Sequence, residues 1–326
     1  RARWKSYCPA LESRMDCADE VAAYEESMAN AYVGVGITIT EDTEAGGMRV
    51  EEVVSGGPAE EAGIRAGDLL LAVEGEDVLP LGIDGTRNLV RGEEGTHVNM
   101  HFSRNGSEYD VSVERRSIET PVVTGELLDE NIGYIKIDNF DERSAAETIA
   151  FVKDLIGQGA EALLFDMRFN PGGYADELVK VLDYLLPEGD LFRSVDYAGR
   201  EEVDTSDASC VELPMSVLVN EDSYSAAEFF AAALQEYEWA TIVGSQTYGK
   251  GNFQTAFYLS DGSMVNLSIG KYYTPGGKSL TETGVTPDVV VDLDDEQYAL
   301  LYYNALEQAD DPQFQAAIDT LTQKIS

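Results

Sequence analysis

A cluster of hydroxyl groups stands where an apolar run meets an alanine-rich helix, in NEDSYSAAEFFAAAL, residues 220–234. Ser223, Tyr224 and Ser225 occupy three consecutive positions there. A serine hydroxyl attacks carbonyl groups when a neighbouring base takes its proton, so one interpretation of Ser225 is a nucleophile. The other is structural, because Ser225 and Glu228 form the S-x-x-E capping-box pattern directly before an apolar helix. A suitable base elsewhere in the chain would favour the nucleophile.

Histidine is the usual base for such a serine, and the chain has only two, His97 and His101. Both precede residue 119, so a Ser-His-Asp triad within the later part of the chain is excluded. Lysine can take the same role, since burial disfavours its charged form and releases its proton. Lys250, in SQTYGKGNFQT with a glycine on each side, is the candidate base. The alternative is a solvated lysine in a turn.

An acyl-transfer site also needs two N–H donors for the oxyanion of the tetrahedral intermediate. Ala226 N–H is one candidate, because the first N–H groups of a helix have no partner within it. The two glycines of NPGG, Gly172 and Gly173, can offer the other, since no Cβ blocks an approaching carbonyl group. The capping and catalytic interpretations of Ser225 therefore share one geometry.

The elements that must position these groups follow from the apolar patterns. Three predicted strands, IGYIKI (132–137), ALLFDMR (162–168) and PMSVLV (214–219), are each followed by a predicted helix. This alternation predicts a largely parallel sheet in an α/β domain, in which sites form at the carboxyl ends of strands. NPGG (170–173) and EDSYS (221–225) both occupy such turns.

Four segments are predicted along the chain. Residues 1–31 are a lead-in that ends in an amphipathic helix, and residues 32–118 contain short β-rich runs separated by glycine-rich turns. The α/β domain covers residues 119–293, and a helical segment at residues 294–326 closes the chain.

The composition limits the ligands that the chain can bind. Its 326 residues include 61 Asp and Glu against 22 Lys and Arg, which gives a formal charge of −39. This charge repels nucleic acid, anionic lipid and polyphosphate ligands, and it is compatible with a saline habitat. It also favours the charged form of lysine, so Lys250 can act as a base only if burial outweighs that field.

No C-x-x-C pair occurs among Cys8, Cys17 and Cys210, so no zinc site is expected. No other metal and no cofactor is predicted for the chain. Cys8 and Cys17 are either a disulfide, in an oxidising compartment, or two structural thiols. No run of about 18 apolar residues marks a membrane span. Because the chain does not begin with Met, we expect that it was trimmed, and that only a segment before Arg1 could hold a signal or membrane anchor.

Four segments closely resemble the carboxyl-terminal processing serine peptidases, also called tail-specific proteases: DMRFNPGG (166–173), VLVNEDSYSAAEFFAAAL (217–234), TYGKGNFQ (247–254) and LSDGSMVNLSIGKYYTPGGKSLTETGVTPDVVV (259–291). Two more resemble the PDZ domain of that family: YVGVG (32–36) and VVSGGPAEEAGIRAGDLLLAVEG (53–75). The similarity runs from about residue 32 to residue 293 in the family's order. Ala227 and Phe169 depart from it, since the family commonly has Ser and a polar residue there.

The resemblance implies a role for each matching residue. Ser225 would be the nucleophile, Lys250 the general base and Gln254 the residue that orients the lysine. The implied oxyanion hole consists of Gly172, Gly173 and Ala226, and the implied substrate-binding loop of the PDZ domain consists of Tyr32, Val33, Gly34, Val35 and Gly36. The implied fold is a crotonase-like (ClpP/crotonase-type) α/β peptidase domain with an inserted PDZ domain and with helices at both ends.

The function implied by the resemblance is a serine endopeptidase that cleaves proteins near their C terminus, with the PDZ domain receiving the tail. Its substrates would have free C termini, and apolar Val33 and Val35 in the PDZ loop, together with the negative charge, predict that these termini are apolar. Its location would be extracytoplasmic: cell envelope, periplasm or secreted. One alternative is a catalytically inactive PDZ-peptidase scaffold that binds C termini. A second is a crotonase-like acyl-CoA enzyme, which the charge of −39 disfavours. Homo-oligomerisation, the natural substrate and gating by the PDZ domain stay open.

Overall fold

The computed structural model of the protein describes residues 14–17, 21 and 30–325. The chain divides into two compact units, a small unit at Ala29–Thr120 and a large unit formed by the chain on either side of it. The predicted helical segment at residues 294–326 belongs to the large unit. Most of the predicted N-terminal helix, together with Cys8, lies outside the described residues.

The described chain begins with one short strand of the large unit, β1 (Arg14–Asp16). The small unit then contains, in chain order, β2 (Ala31–Gly34), β3 (Ile37–Asp42), β4 (Gly47–Val53), α1 (Pro58–Glu61), β5 (Leu69–Val73), β6 (Glu76–Asp77), α2 (Val78–Val90), β7 (His97–Arg104), β8 (Ser107–Glu114) and β9 (Arg116–Glu119). Strands β3-β4-β5-β7-β8 form an antiparallel sheet in that order, with β6 beside β5, while β2 pairs with β9. Strand β3 therefore lies at an edge of the sheet.

Alternation of apolar and polar residues explains the strands of the small unit. In β7 the side chains of Val98, Met100 and Phe102 are buried, while His97 and His101 point to the opposite face. The two histidines thus share one face of a strand, as their spacing predicts.

The large unit continues with β10 (Val123–Leu127), β11 (Ile132–Ile137), α3 (Ser144–Gln158), β12 (Ala162–Asp166), α4 (Ala175–Leu185), β13 (Gly189–Asp196), β14 (Glu201–Ser206), β15 (Met215–Val219), α5 (Ala226–Glu236), β16 (Ala240–Gly244), β17 (Asn252–Tyr258), β18 (Met264–Tyr273), β19 (Val289–Val290), α6 (Asp295–Tyr302), a 3₁₀ turn (Gln308–Asp310) and α7 (Pro312–Ile325). The three strands predicted from sequence are β11, β12 and β15, and each prediction is confirmed to within two residues.

Six strands form the central sheet of the large unit in the order β10-β11-β12-β15-β16-β19. Within this sheet neighbouring strands are parallel, except that β10 runs antiparallel to β11. Every residue of β12 and β15 is buried, because helices cover both faces of the sheet. Leu163 and Phe165 pack with α3, α4 and α5, whereas Leu164 packs with α7. The predicted largely parallel α/β domain is confirmed.

A second, antiparallel sheet of the large unit was not predicted from the sequence. Its order is β1-β18-β13-β14, and β17 also pairs with β18. Strand β17 begins two residues after Lys250, so this sheet supports one side of the candidate site. Within the part of the chain that the structure describes, no helix has the length and apolar character needed to cross a membrane.

Candidate active site

Ser225 lies at the first turn of α5, directly after the loop that follows β15. Its backbone angles are φ 59° and ψ −124°, a region that residues other than glycine rarely adopt. Such strain persists only where the surroundings impose it, and it is typical of functional sites. The Ser225 N–H donates to Glu228 Oε2 at 2.9 Å, which is the half of the predicted capping box that the glutamate supplies.

The Glu228 carboxylate joins the serine turn to the lysine segment. Its oxygens accept hydrogen bonds from four donors: Ser225 N–H (2.9 Å), Lys250 N–H (2.8 Å), Gly249 N–H (2.7 Å) and the Thr247 hydroxyl (2.6 Å). The side chain is fully buried, so these bonds replace all of its hydration. From the sequence Glu228 was interpreted only as the acid of a capping box, and its role in holding residues 247–250 was missed.

Lys250 is therefore held close to Ser225. Because both main-chain N–H groups bind Oε2 of Glu228, their nitrogens lie within about 6 Å of each other. Lys250 is partly buried, and its Nζ lies 5.4 Å from the centre of the ring of Tyr224, the neighbour of Ser225. Gln254 lies in β17, directly after a β-bulge, where it is paired with Ser268 of β18.

The candidate oxyanion donors differ in whether their N–H groups are available. The Gly172 N–H donates to Asn170 Oδ1 at 2.8 Å, so this donor of the predicted oxyanion hole is already engaged. The N–H groups of Gly173 and Ala226 make no hydrogen bond to any residue that the structure describes. The sequence analysis grouped all three donors together, although an Asn two residues before a glycine is a local signal that its side chain can accept that N–H.

Both glycines of NPGG are required by their surroundings. Gly172 has φ +89°, and a Cβ there would lie 2.8 Å from both Ser225 Cβ and Ala226 N. Gly173 has φ +147°, and a Cβ there would lie 2.2 Å from the carbonyl oxygen of Phe140. The loop thus passes directly against the serine turn, an approach that only glycine permits.

Hydrogen bonds fix the glycine loop to the sheet and to the serine turn. Asn170 Nδ2 donates to the Ile137 carbonyl at 2.7 Å, and the Tyr224 N–H donates to the Asn170 carbonyl at 3.1 Å. At the start of the loop, the Phe169 N–H donates to Asn220 Oδ1 at 3.0 Å. The loops after β12 and β15 are therefore connected by main-chain and side-chain bonds alike.

A buried ion cluster anchors the same loop to the C-terminal helix. Arg168 donates to both carboxylate oxygens of Asp166 and, at 2.6 Å, to Asp311, which precedes α7. Burial would raise the pKa of Asp166, but the Arg168 guanidinium outweighs it and holds that pKa below its usual range. Burial, followed by the charge of Asp166, raises the pKa of Tyr134, whose hydroxyl donates to that carboxylate. Asp166 and Arg168 therefore fix the start of the glycine loop.

The predicted substrate-binding loop of the small unit is only partly a loop. Tyr32, Val33 and Gly34 belong to β2 and pair with β9. The side chain of Val35 is buried in the core of the small unit, so it cannot line a surface pocket. The N–H groups of Val35 and Gly36 bind no other described residue, and they lie directly before the edge strand β3.

The histidines and cysteines add no second candidate site. His101 contacts Asp110 at 2.8 Å and Glu108 at 3.3 Å, and the hydrogen bond to Asp110 raises its pKa. Cys17 is exposed and Cys210 partly buried, and Cys8, the other cysteine of the predicted disulfide, lies outside the described residues. Among the described side chains there is no cluster of three or more His, Cys, Asp or Glu that could hold a metal ion.

Sequence comparison identifies both units. Residues 131–291 match peptidase family S41, and residues 49–104 match the PDZ domain. The chain is 32% identical over 296 residues to a carboxyl-terminal-processing protease of Synechocystis, and 32% identical over 288 residues to the carboxy-terminal processing protease CtpA of Bacillus subtilis. These alignments cover 89% and 87% of the chain, which spans 68% and 61% of the two relatives.

Solved structures have the same fold. A photosystem II D1 C-terminal processing protease is 28% identical, with a TM-score of 0.54, and the match covers 93% of this chain and 83% of that one. An S41 protease from Bacteroides fragilis is 18% identical, with a TM-score of 0.59 over 98% of this chain and 88% of that one, and it supports the fold alone. The predicted family, PDZ domain and serine-peptidase class are confirmed. The chain belongs to peptidase family S41, the serine-type family of the carboxyl-terminal processing proteases, and it carries a PDZ domain.

Proposed function

We propose that the chain is an active endopeptidase that cleaves proteins near their C terminus with a dyad of Ser225 and Lys250. The observation that carries the proposal is the shared carboxylate of Glu228, which binds the main chain of both residues. A scaffold that had lost its activity would not need a strained serine and a lysine held on one buried acid. The inactive scaffold is therefore disfavoured.

The chemistry follows from the positions of these groups. Neutral Lys250 takes the proton of the Ser225 hydroxyl as its oxygen attacks the scissile carbonyl group. The N–H groups of Ala226 and Gly173 stabilise the oxyanion. The resulting Lys250 ammonium returns its proton to the leaving amine, which gives an acyl-enzyme, and the neutral lysine then activates the water that hydrolyses it. Gln254, four residues further along, orients the lysine in this scheme.

Gly172 has a different role in this proposal from the one that the resemblance implies. Its N–H is bound to Asn170, so it shapes the oxyanion hole and does not donate to it. The missing Cβ leaves Ser225 and Ala226 accessible to the substrate carbonyl group. We therefore assign the two donations to Gly173 and Ala226.

The PDZ domain would receive the substrate tail. The N–H groups of Val35 and Gly36 suit a terminal carboxylate, and the open edge of β3 can pair with an extended peptide. The side chains of Ile37 and Ile39 are partly buried against the core of this unit, and they alternate with exposed Thr38 and Thr40. This apolar side of β3 favours substrates that end in an apolar residue. We also propose, as the resemblance implies, that the protein is extracytoplasmic and that its peptidase domain has a crotonase-like fold.

A serine-directed fluorophosphonate is expected to label the protein at Ser225 alone. The reagent reacts with hydroxyls that a neighbouring base activates, so Ser225→Ala should abolish labelling. Exposed Ser209 offers a matched control, and Ser209→Ala should label like the wild type. An unlabelled wild-type protein that still binds C-terminal peptides would establish the inactive scaffold instead.

A peptide with a free, apolar C terminus is expected to be cleaved with a lower KM than its amidated twin. Amidation removes the charge that the N–H groups of Val35 and Gly36 would bind. A third peptide with Asp residues near the end should also have a higher KM, since the net charge of −39 repels it. Gly36→Ala places a side chain on a residue with φ +78°, which strains the loop. It should raise the KM of the peptide with the free C terminus but not that of its amidated twin. Equal cleavage of all three peptides would contradict tail recognition.

A further inference from the structure

The ring of Tyr224 faces the ammonium group of Lys250. The Nζ atom lies 5.4 Å from the ring centre, inside the distance of about 6 Å at which a cation and an aromatic face attract each other. Tyr224 is the residue directly before Ser225. The contact therefore joins the candidate base to the neighbour of the candidate nucleophile.

Both sides of this contact are fixed. The Tyr224 main chain is bound to the glycine loop at 3.1 Å, and its ring packs on Tyr248 with centres 5.6 Å apart. Lys250 is held by its own N–H on Glu228, at 2.8 Å. A flexible lysine on a surface ring would exchange the contact for water, whereas here the two segments hold it in place. Because Lys250 is partly buried, water competes less for its charge.

We propose that Tyr224 is a positioning residue of the dyad, whose ring stabilises the ammonium form of Lys250 and so sets both the pH at which the base becomes available and its strength. The proposal rests on the proposed function, because it assigns Tyr224 an effect only through Lys250. It gives the serine turn a second part in catalysis, besides presenting Ser225.

The ring acts in opposite directions at two stages of the reaction. Before attack, it favours the charged lysine and so lowers the fraction of enzyme with a neutral base. After Lys250 has taken the serine proton, the same ring stabilises the ammonium beside the oxyanion. A base with a higher pKa is also a stronger base, so Tyr224 should increase the rate above the ionisation and have a smaller net effect below it.

Other groups around Lys250 influence its charge in ways that a change of the ring leaves intact. They include the Glu228 carboxylate from α5 and Tyr248, two residues before Lys250 in the chain. A third is Glu282, whose N–H donates to the Gly249 carbonyl at 2.9 Å. The negative charge of the whole chain favours ammonium as well. A comparison of variants at position 224 therefore isolates the contribution of the ring.

The experiment measures kcat/KM against pH for the wild type, Tyr224→Phe, Tyr224→Leu and Tyr224→Met. Tyr224→Phe keeps the aromatic face, so its profile should follow the wild type. The two aliphatic variants should show an apparent pKa lower by about 0.4 to 1.5 and a lower rate at high pH. Exposed Tyr197 lies in the turn after β13, and Tyr197→Leu should leave the profile unchanged.

The pH dependence of fluorophosphonate labelling provides a second readout, because it does not depend on peptide binding. Only variants whose melting temperature equals that of the wild type enter the comparison. Tyr224→Leu and Tyr224→Met introduce side chains of different shape, so that one can be used if the other does not fold. An apparent pKa equal to that of the wild type in a folded aliphatic variant would overturn the role of Tyr224. Activity retained by Lys250→Ala would instead overturn the dyad itself, so the two failures are distinguishable.

Discussion

Lys250→Ala is expected to lower kcat/KM by about 10⁴-fold or more, and Ser225→Ala should lower it to the same extent. The reason is that Ser225 has no other base. The nucleophile and its base act as a unit, so the double variant should be no less active than either single variant. Cleavage of a reporter peptide and fluorophosphonate labelling should give the same ranking.

The groups that surround the dyad cannot replace the lysine. Glu228 is the nearest acid that the structure places at the serine turn, but its oxygens already accept four hydrogen bonds. The chain has no histidine after residue 101. His97 and His101 both belong to the small unit, where Asp110 and Glu108 bind His101. Loss of the Lys250 amine therefore leaves the serine proton without an acceptor.

Lys271 provides the matched control for this substitution. It is exposed on β18, and its Cα is paired with that of Asn252 beside the site, so Lys271→Ala removes a neighbouring positive charge but not the base. The control should keep wild-type activity to within a factor of about 3, because an exposed charge contributes little. Thermal unfolding of each variant would show whether the fold survives. Retention of more than a few per cent of activity by a folded Lys250→Ala enzyme would contradict the dyad.

The parallel sheet was predictable because its signals are local. Every residue of β12 and β15 is buried, because parallel strands are covered on both faces. Their sequences, ALLFD and MSVLV, are therefore mostly apolar without alternation, and this pattern predicts a buried strand. The turns that follow them contain Gly172, Gly173 and Ser225, which marked the carboxyl edge of the sheet as the candidate site. The capping pattern of Ser225 and Glu228 is equally local, since it spans four residues.

The parts of the site that escaped prediction depend on contacts between distant residues. Thr247 and Gly249 bind Glu228 across 19 and 21 positions of the chain, and no spacing rule connects them. The bond from the Gly172 N–H to Asn170 is the exception, since the two residues are only two positions apart and form a local turn. In the small unit, Val35 faces the core because Tyr32–Gly34 pair with β9, which begins more than 80 residues later.

The second sheet escaped prediction for a similar reason. Strands β13 and β14 contain many polar residues, and β14 is exposed along most of its length, so its alternation of apolar and polar residues is weak. Pairing of β13 with β18, whose residues lie about 75 positions away, defines the sheet. Only this sheet explains what lies beside the segment that contains Lys250.

Glu228→Gln is expected to lower both stability and catalysis, because it replaces a carboxylate oxygen with an amide NH₂. At least one of the four donors on Glu228 would then face another donor in a fully buried place. An unsatisfied buried group costs about 1–3 kcal/mol, so the free energy of unfolding should fall by roughly 2–5 kcal/mol for the one or two bonds affected. Denaturant unfolding would measure this loss.

The catalytic part of the same prediction is a fall in kcat of about 100-fold with a smaller change in KM. A displacement of about 1 Å between the nucleophile and its base is enough for such an effect, and the Glu228 carboxylate is what holds their main chains together. Thr247→Ser keeps the hydroxyl that donates to Glu228, and Glu212→Gln makes the same chemical change at an exposed position, so both should resemble the wild type. A Glu228→Gln enzyme that loses stability but keeps its kcat and its rate of fluorophosphonate labelling would show that Glu228 supports the fold alone, and that the alignment of Ser225 with Lys250 does not depend on it.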